Sequence, residues 1–231
     1  MATYQITIKN NSGSQQNYFI FNEAPKINNA VSSDVWLNVF QRKATAKGQT
    51  CIFKFASNYG AVVGSADSDL SAGSSVSVGN PIPVQLGVAN DDGTLRNKGT
   101  SLQMTVIDGA PQFTENPPTA NGAIQAFEIV TDSSFTFAEA KNNNYLIGLG
   151  GDLQGTGLSG PAATFVPQPG KSYQIQPVKK FWVATGDYQR GALIKVASVN
   201  TTIVPIDFST RDSVNATVVH NDVGKMTLQV G

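Results

Sequence analysis

One imidazole, His220, one thiol, Cys51, and four glutamates, Glu23, Glu115, Glu128 and Glu139, hold much of the acid–base and nucleophilic capacity of this chain. A Ser-His-Asp triad has to recruit His220, because no other imidazole exists, and it needs a serine presented on a sharp turn. No G-x-S-x-G run supplies that serine. His220 stands in Val218-Val219-His220-Asn221-Asp222, where it reads as the last residue of a strand entering a turn. A tetrahedral zinc site cannot be built from one Cys and one His.

Paired carboxylates could hydrolyse a glycosidic bond. Glu128 is the glutamate to examine, because alternation in Ala126-Phe127-Glu128-Ile129-Val130 puts it on one face with Ala126 and Val130. If that face is buried, desolvation raises its pKa toward the range of a general acid. The spacing names no partner carboxylate. Asp67-Ser68-Asp69 and Asn90-Asp91-Asp92-Gly93 offer oxygen ligands for Ca²⁺, but neither has the full spacing of a calcium loop. Asp92-Gly93 reads better as a hairpin turn.

Gly155-Thr156-Gly157-Leu158-Ser159-Gly160 fits G-x-G-x-x-G. A dinucleotide site also needs a strand before it, a helix after it and an acidic residue about 20 positions on. Tyr145–Leu149 supplies the strand. Pro161 could open a helix, but Pro167, Pro169 and Gly170 stop it within two turns, and no Asp or Glu occurs from Leu153 to Gly186. The glycines therefore read as a loop at a sheet end. No cofactor is expected.

Cys51 and the aromatics carry the remaining options. Alternation in Cys51-Ile52-Phe53-Lys54-Phe55 puts the thiol with Phe53 and Phe55, facing the core if Lys54 faces water. The other reading leaves it reachable at a strand end, where an unpaired cysteine can link two chains. Tyr59 and Tyr188 adjoin glycines or turns and are expected to be exposed contact aromatics, either between copies or against a glycan. Asn10, Asn200 and Asn215 match N-x-[ST] and read as turn residues.

The elements that must position these groups are strands. Tyr4, Ile6 and Ile8 alternate with Gln5, Thr7 and Lys9, and Tyr18–Phe21 is apolar on both faces. Further β-branched and aromatic runs follow at Val35–Phe40, Cys51–Phe55, Val84–Val88, Leu102–Ile107, Ile124–Val130 and Tyr145–Leu149. Tyr173–Val178, Phe181–Val183, Leu193–Val196, Ile203–Phe208, Ala216–Val219 and Met226–Val230 complete the series. Helix is expected only within 133–141, as a turn or two, and even there Phe135-Thr136-Phe137 favours strand. Many short strands joined by turns imply an all-β, antiparallel β-sandwich with Gly/Pro/Asn-rich loops. Residues 1–231 read as one domain with a long loop at 109–122.

Composition limits the partners. Formal net charge is zero and charged residues make up 14% of the chain, against about 25% in ordinary globular proteins. Nucleic acid is not expected, because phosphate binding needs clustered Lys and Arg. No run of 18 apolar residues is present, so no membrane insertion is expected, and the N-terminal residues lack the basic-then-apolar pattern of a secretory signal. A weakly charged surface does little to keep copies of the chain apart.

The stretches Tyr4–Ser14 and Asn17–Lys26, supported by Val35-Trp36-Leu37-Asn38-Val39-Phe40, resemble the octin-like group of fungal and bacterial crystal-forming β-proteins. The resemblance implies ordered self-assembly, a statolith-like role in gravity sensing and a vacuolar location; without it, the cytoplasm is the expected compartment. It also implies intermolecular disulfides, for which Cys51 is the only residue available. The sequence thus reads as a non-enzymatic structural protein that assembles with itself, the alternative being a carbohydrate-binding sandwich.

Overall fold

The computed structural model describes residues 3–30, 34–152, 160–199 and 202–229. The chain opens with β1 (Thr3–Asn10), β2 (Gln16–Asn22), β3 (Lys26–Ile27), β4 (Trp36–Thr45) and the long β5 (Thr50–Ala66). Short strands β6 (Val76–Val78), β7 (Ile82–Val84), β8 (Val88–Ala89) and β9 (Leu95–Asn97) follow. Then come β10 (Ser101–Ile107), β11 (Ala110–Phe113), β12 (Phe127–Thr131), helix α1 (Phe137–Asn142), β13 (Tyr145–Asp152) and β14 (Pro161–Phe165). The last third holds β15 (Ser172–Gln176), β16 (Lys180–Thr185), β17 (Leu193–Ile194), β18 (Val204–Asp207), β19 (Asn215–His220) and β20 (Met226–Gln229).

The fold is all-β, as the alternation requires. The larger sheet runs β18-β16-β2-β4-β14-β13-β5-β1-β19-β20, with β17 added to β4 and β6 and β7 added to β5. Its two end strands, β18 and β20, approach each other, so the sheet curls into a nearly closed barrel. The smaller sheet runs β11-β10-β12-β15-β3. Two pairs depart from the antiparallel expectation: β1 lies parallel to β19 and β10 parallel to β12. Tyr4, Ile6 and Ile8 are buried on one face of β1 as their spacing dictates, and Tyr18–Phe21 are buried on both faces of β2. Leu102, Met104, Phe127, Ile129, Tyr173 and Ile175 of the smaller sheet join the same hydrophobic core as the barrel strands.

Prolines mark the sheet margins. Pro205 lies in end strand β18, Pro111 in end strand β11 and Pro83 in the short side strand β7. Proline cannot donate to a ladder, and in sheets it is confined to such positions. End strand β3 has only two residues, one of them Lys26.

Local chemistry explains the departures from the expected boundaries. Thr136 caps α1: its Oγ1 accepts from Glu139 N, and the Glu139 carboxylate accepts from Thr136 N at 2.6 Å. This reciprocal box settles Phe137 into a helix rather than a strand. Asp108 and Gly109 both have positive φ, 51° and 76°, and form a tight hairpin turn that makes Ala110–Phe113 a strand. The expected loop at 109–122 is corrected accordingly: the irregular segment spans 114–126. β12 starts at Phe127 rather than at 124 because Gln125 has φ 60°. The strand expected at 84–88 is interrupted, and Gly87 instead bridges to Ile124. No helix among the described residues is long and apolar enough to cross a membrane.

Candidate functional site

Ser101 on β10, Glu128 on β12 and Gln174 on β15 stand side by side across three neighbouring strands, because Ser101 pairs with Glu128 and Glu128 with Gln174 in register. Phe127 and Ile129 point into the core, so Glu128 points to the opposite face of the sheet. That face is not open: Glu128 is only 4% exposed. Its Oε2 accepts from Ser101 Oγ at 2.6 Å. Its Oε1 accepts from Ser172 Oγ at 2.6 Å, Gln174 Nε2 at 3.1 Å and Asn121 Nδ2 at 3.3 Å.

The same donors hold the segment 114–126 against the sheet. Asn121 N donates to Ser101 Oγ at 2.8 Å, Ala123 N to Gln174 Oε1 at 2.7 Å, and Gln174 Nε2 to Asn121 O at 3.2 Å. Beside them three glycines allow backbones to cross at close range. A Cβ on Gly87 would lie 2.1 Å from Ala123 O, one on Gly99 2.1 Å from Ala126 O, and one on Gly122 2.7 Å from Gly99 Cα. The crossing and the carboxylate therefore form one unit.

The expectation of a raised pKa at Glu128 is corrected. Burial does push it upward, but four hydrogen bonds from neutral donors outweigh burial and hold the carboxyl below its ordinary value of 4.5. An ionised carboxylate with both oxygens engaged cannot protonate a leaving group. Its place here is to gather donors from the two flanking strands and one loop.

The other chemistry-bearing residues are also occupied. His220 ends β19 but is buried, and its Nδ1 is hydrogen-bonded to Tyr18 Oη at 2.9 Å. Burial lowers its pKa below 6.5, partly offset by a backbone contact with Gly224. Cys51 is buried with Phe53 and Phe55, as alternation requires, while Ile52 and Lys54 face outward. Burial pushes the thiol pKa up, against smaller opposing effects of Thr45 and Lys43. The reading of Cys51 as a reachable partner for an intermolecular disulfide is thus corrected: a buried protonated thiol is a poor nucleophile.

Tyr59 and Tyr188 are not the exposed aromatics their glycine neighbours lead one to expect. Both are half-buried against the core. Burial drives the Tyr59 phenol up to about 12, and Tyr188 packs edge-on against Phe19 with ring centres 5.3 Å apart. The small neighbour at Gly186 lets the Tyr188 ring settle inward, at 3.3 Å from where a Cβ would stand.

Asp92 serves its hairpin, its Oδ1 accepting from Thr94 N and Thr94 Oγ1, with Gly93 at φ 83°. No cluster of three or more His, Cys, Asp or Glu with metal-binding proximity occurs among the described residues. Asn10, the first of the N-x-[ST] asparagines, is fully buried, with Nδ2 donating to Ser14 O, Thr45 O and Ala46 O. The G-x-G-x-x-G run falls almost wholly outside the described residues. Pro161, just past it, opens strand β14, paired antiparallel to β13, rather than a helix.

A second region has no counterpart in the sequence reading. A cleft of about 530 Å³ lies between the start of β4, helix α1, the end of β14 and β15. Trp36 and Phe137 each carry a lysine ammonium 4.4 Å from the ring centre, Lys195 over Trp36 and Lys141 over Phe137. Deeper in, Phe165 and Tyr173 pack edge-to-face at 5.0 Å. Asn29, Asn144 and the carboxylate of Asp34 line it as well. The sequence gives Phe137 and Lys141 at helical spacing, but nothing local joins them to Trp36 or Tyr173.

No curated protein and no solved structure matches the chain. A family model described as RhiA matches residues 1–231, the whole of it, and the chain belongs to the RhiA family.

Proposed function

We propose that this protein is structural and works by associating with copies of itself through its outer faces. One observation carries the reading: aliphatic side chains stand out around the glycine crossing. Val88 and Leu95 are each 39% exposed on the β8–β9 hairpin, and Ile124, which bridges to Gly87, is 37% exposed. Covering each contributes about 1 kcal/mol, and a surface with zero net charge opposes the contact weakly.

The sheet margins direct how copies meet. Pro111, Pro205 and the two-residue β3 deny an incoming strand a continuous ladder. Contacts between faces are therefore favoured over strand addition, and with Cys51 buried they are noncovalent. The resemblance to octin-like crystal-forming proteins extends the proposal to an ordered lattice in an intracellular, vacuolar store.

Sedimentation velocity across protein concentration and salt tests the proposal. The expected result is concentration-dependent assembly, strengthened by salt, indifferent to reductant and abolished by Val88→Lys with Leu95→Lys. A wild-type protein that stays monomeric at every concentration and salt overturns it.

A further inference from the structure

We propose that the cleft between Trp36 and Phe137 is a binding site for a carboxylated sugar. The proposal is independent of self-association, since the cleft does not include Val88, Leu95 or Ile124.

Size and construction point to a small-molecule site. A volume of about 530 Å³ falls inside the ~300–1,000 Å³ range of such sites. Phe165 and Tyr173 are 2% and 1% exposed, so the inner wall is fixed by the core. Tyr173 is further held by its Oη, which accepts from Gln168 N at 2.8 Å.

The lining chemistry selects the ligand. Lys141 is exposed, rests on Phe137 and makes no ion pair among the described residues. Resting on a ring restricts the ammonium without neutralising it, so it can receive a carboxylate. Asn29 donates Nδ2 to Ser172 O at 2.9 Å, and Asn144 donates Nδ2 to Ser68 O at 3.0 Å. Those bonds fix both side chains and leave the Oδ1 atoms as acceptors for hydroxyl donors. Trp36 and Phe137 offer aromatic surface to the C–H face of a pyranose. A purely apolar acid would offer the amide oxygens no donor and gain nothing from them. A neutral sugar would leave the ammonium unanswered. A carboxylated sugar satisfies the amides, the rings and the charge together, because two lysines, Lys141 and Lys195, stand against the one carboxylate of Asp34 in the lining.

The experiment uses the two tryptophans. Trp182→Phe leaves Trp36 as the sole indole of the protein. Its emission is titrated with digalacturonate and with galactobiose, which carries hydroxymethyl groups in place of the carboxylates. The expected result is a saturable change with digalacturonate, about tenfold tighter than with galactobiose, as a charge-assisted hydrogen bond allows. Lys141→Met is expected to erase that tenfold preference while leaving the unfolding curve unchanged. If Trp182→Phe does not fold, saturation-transfer NMR on the wild-type protein reads the same comparison from the ligand protons. Absence of saturable binding, equal affinity for both sugars, or an unaltered preference in Lys141→Met each overturns the proposal.

Discussion

Glu128 and Lys141 are the charged centres of two neighbouring regions that treat charge in opposite ways. Glu128 sits between strands with four neutral donors directed at it, so its charge is spread over the fold and unavailable to a ligand. Lys141 sits on an aromatic ring at the margin of a cleft, so its charge is oriented but unspent. A buried charge is tolerated when hydrogen bonds replace its hydration. An exposed charge keeps its hydration and can exchange it for a ligand. The first arrangement builds a surface and the second builds a site.

The comparison is broken most severely at the glycine crossing. Gly99→Val places a side chain where backbone already stands, and we expect a loss of about 3 kcal/mol in denaturant unfolding. Proteolysis within 114–126 should accelerate in the same variant, whereas the cleft should keep its ligand response if the rest of the barrel stays folded. Next comes Glu128→Gln. An amide presents two N–H groups to a ring of donors, and the expected loss is about 2 kcal/mol, with Ser101→Ala costing about 1 kcal/mol.

Acid separates Glu128 from the buried His220 without mutation. The folded-state pKa values of both His220 and Glu128 are depressed, so each contributes stability at higher pH that is lost as pH falls. His220 acts first, below its ordinary 6.5, and Glu128 follows below its ordinary 4.5. Midpoints from urea unfolding should therefore fall in two stages on acidification. Glu128→Gln should flatten the lower stage and leave the upper one. The smallest effect is expected at Lys141→Met, whose stability should stay within about 0.5 kcal/mol of wild type.

The sequence displays the strands but conceals what joins them. Alternation at Tyr4, Ile6 and Ile8 specifies which face of β1 is buried, and Thr136-x-x-Glu139 is a legible cap. The same alternation sets Glu128 opposite Phe127 and Ile129. The direction of its pKa shift was not legible, because its donors lie 27, 44 and 46 residues away on Ser101, Ser172 and Gln174. Register brings them together, and register between distant strands leaves no local trace. Asp108-Gly109 carried a hairpin signal that the proline-rich stretch after it obscured. Tyr59 and Tyr188 misled because glycine beside an aromatic marks close packing as readily as a turn. The cleft draws on elements from residue 29 to residue 195, so no window of sequence contains it.

The position of β1 has a further consequence, for synthesis. Thr3–Lys9 pair with Thr50–Ala56 on one side, a partner near in sequence, but on the other side Gln5–Asn10 pair with Asn215–His220. At about 5–20 residues per second a ribosome takes roughly 10–40 s to make the second partner. Through that interval the nascent chain carries an unfinished ladder edge beside Ile6 and Ile8. Closure of this ladder thus has a long reach along the chain, and until β19 has been made that edge of β1 stays open.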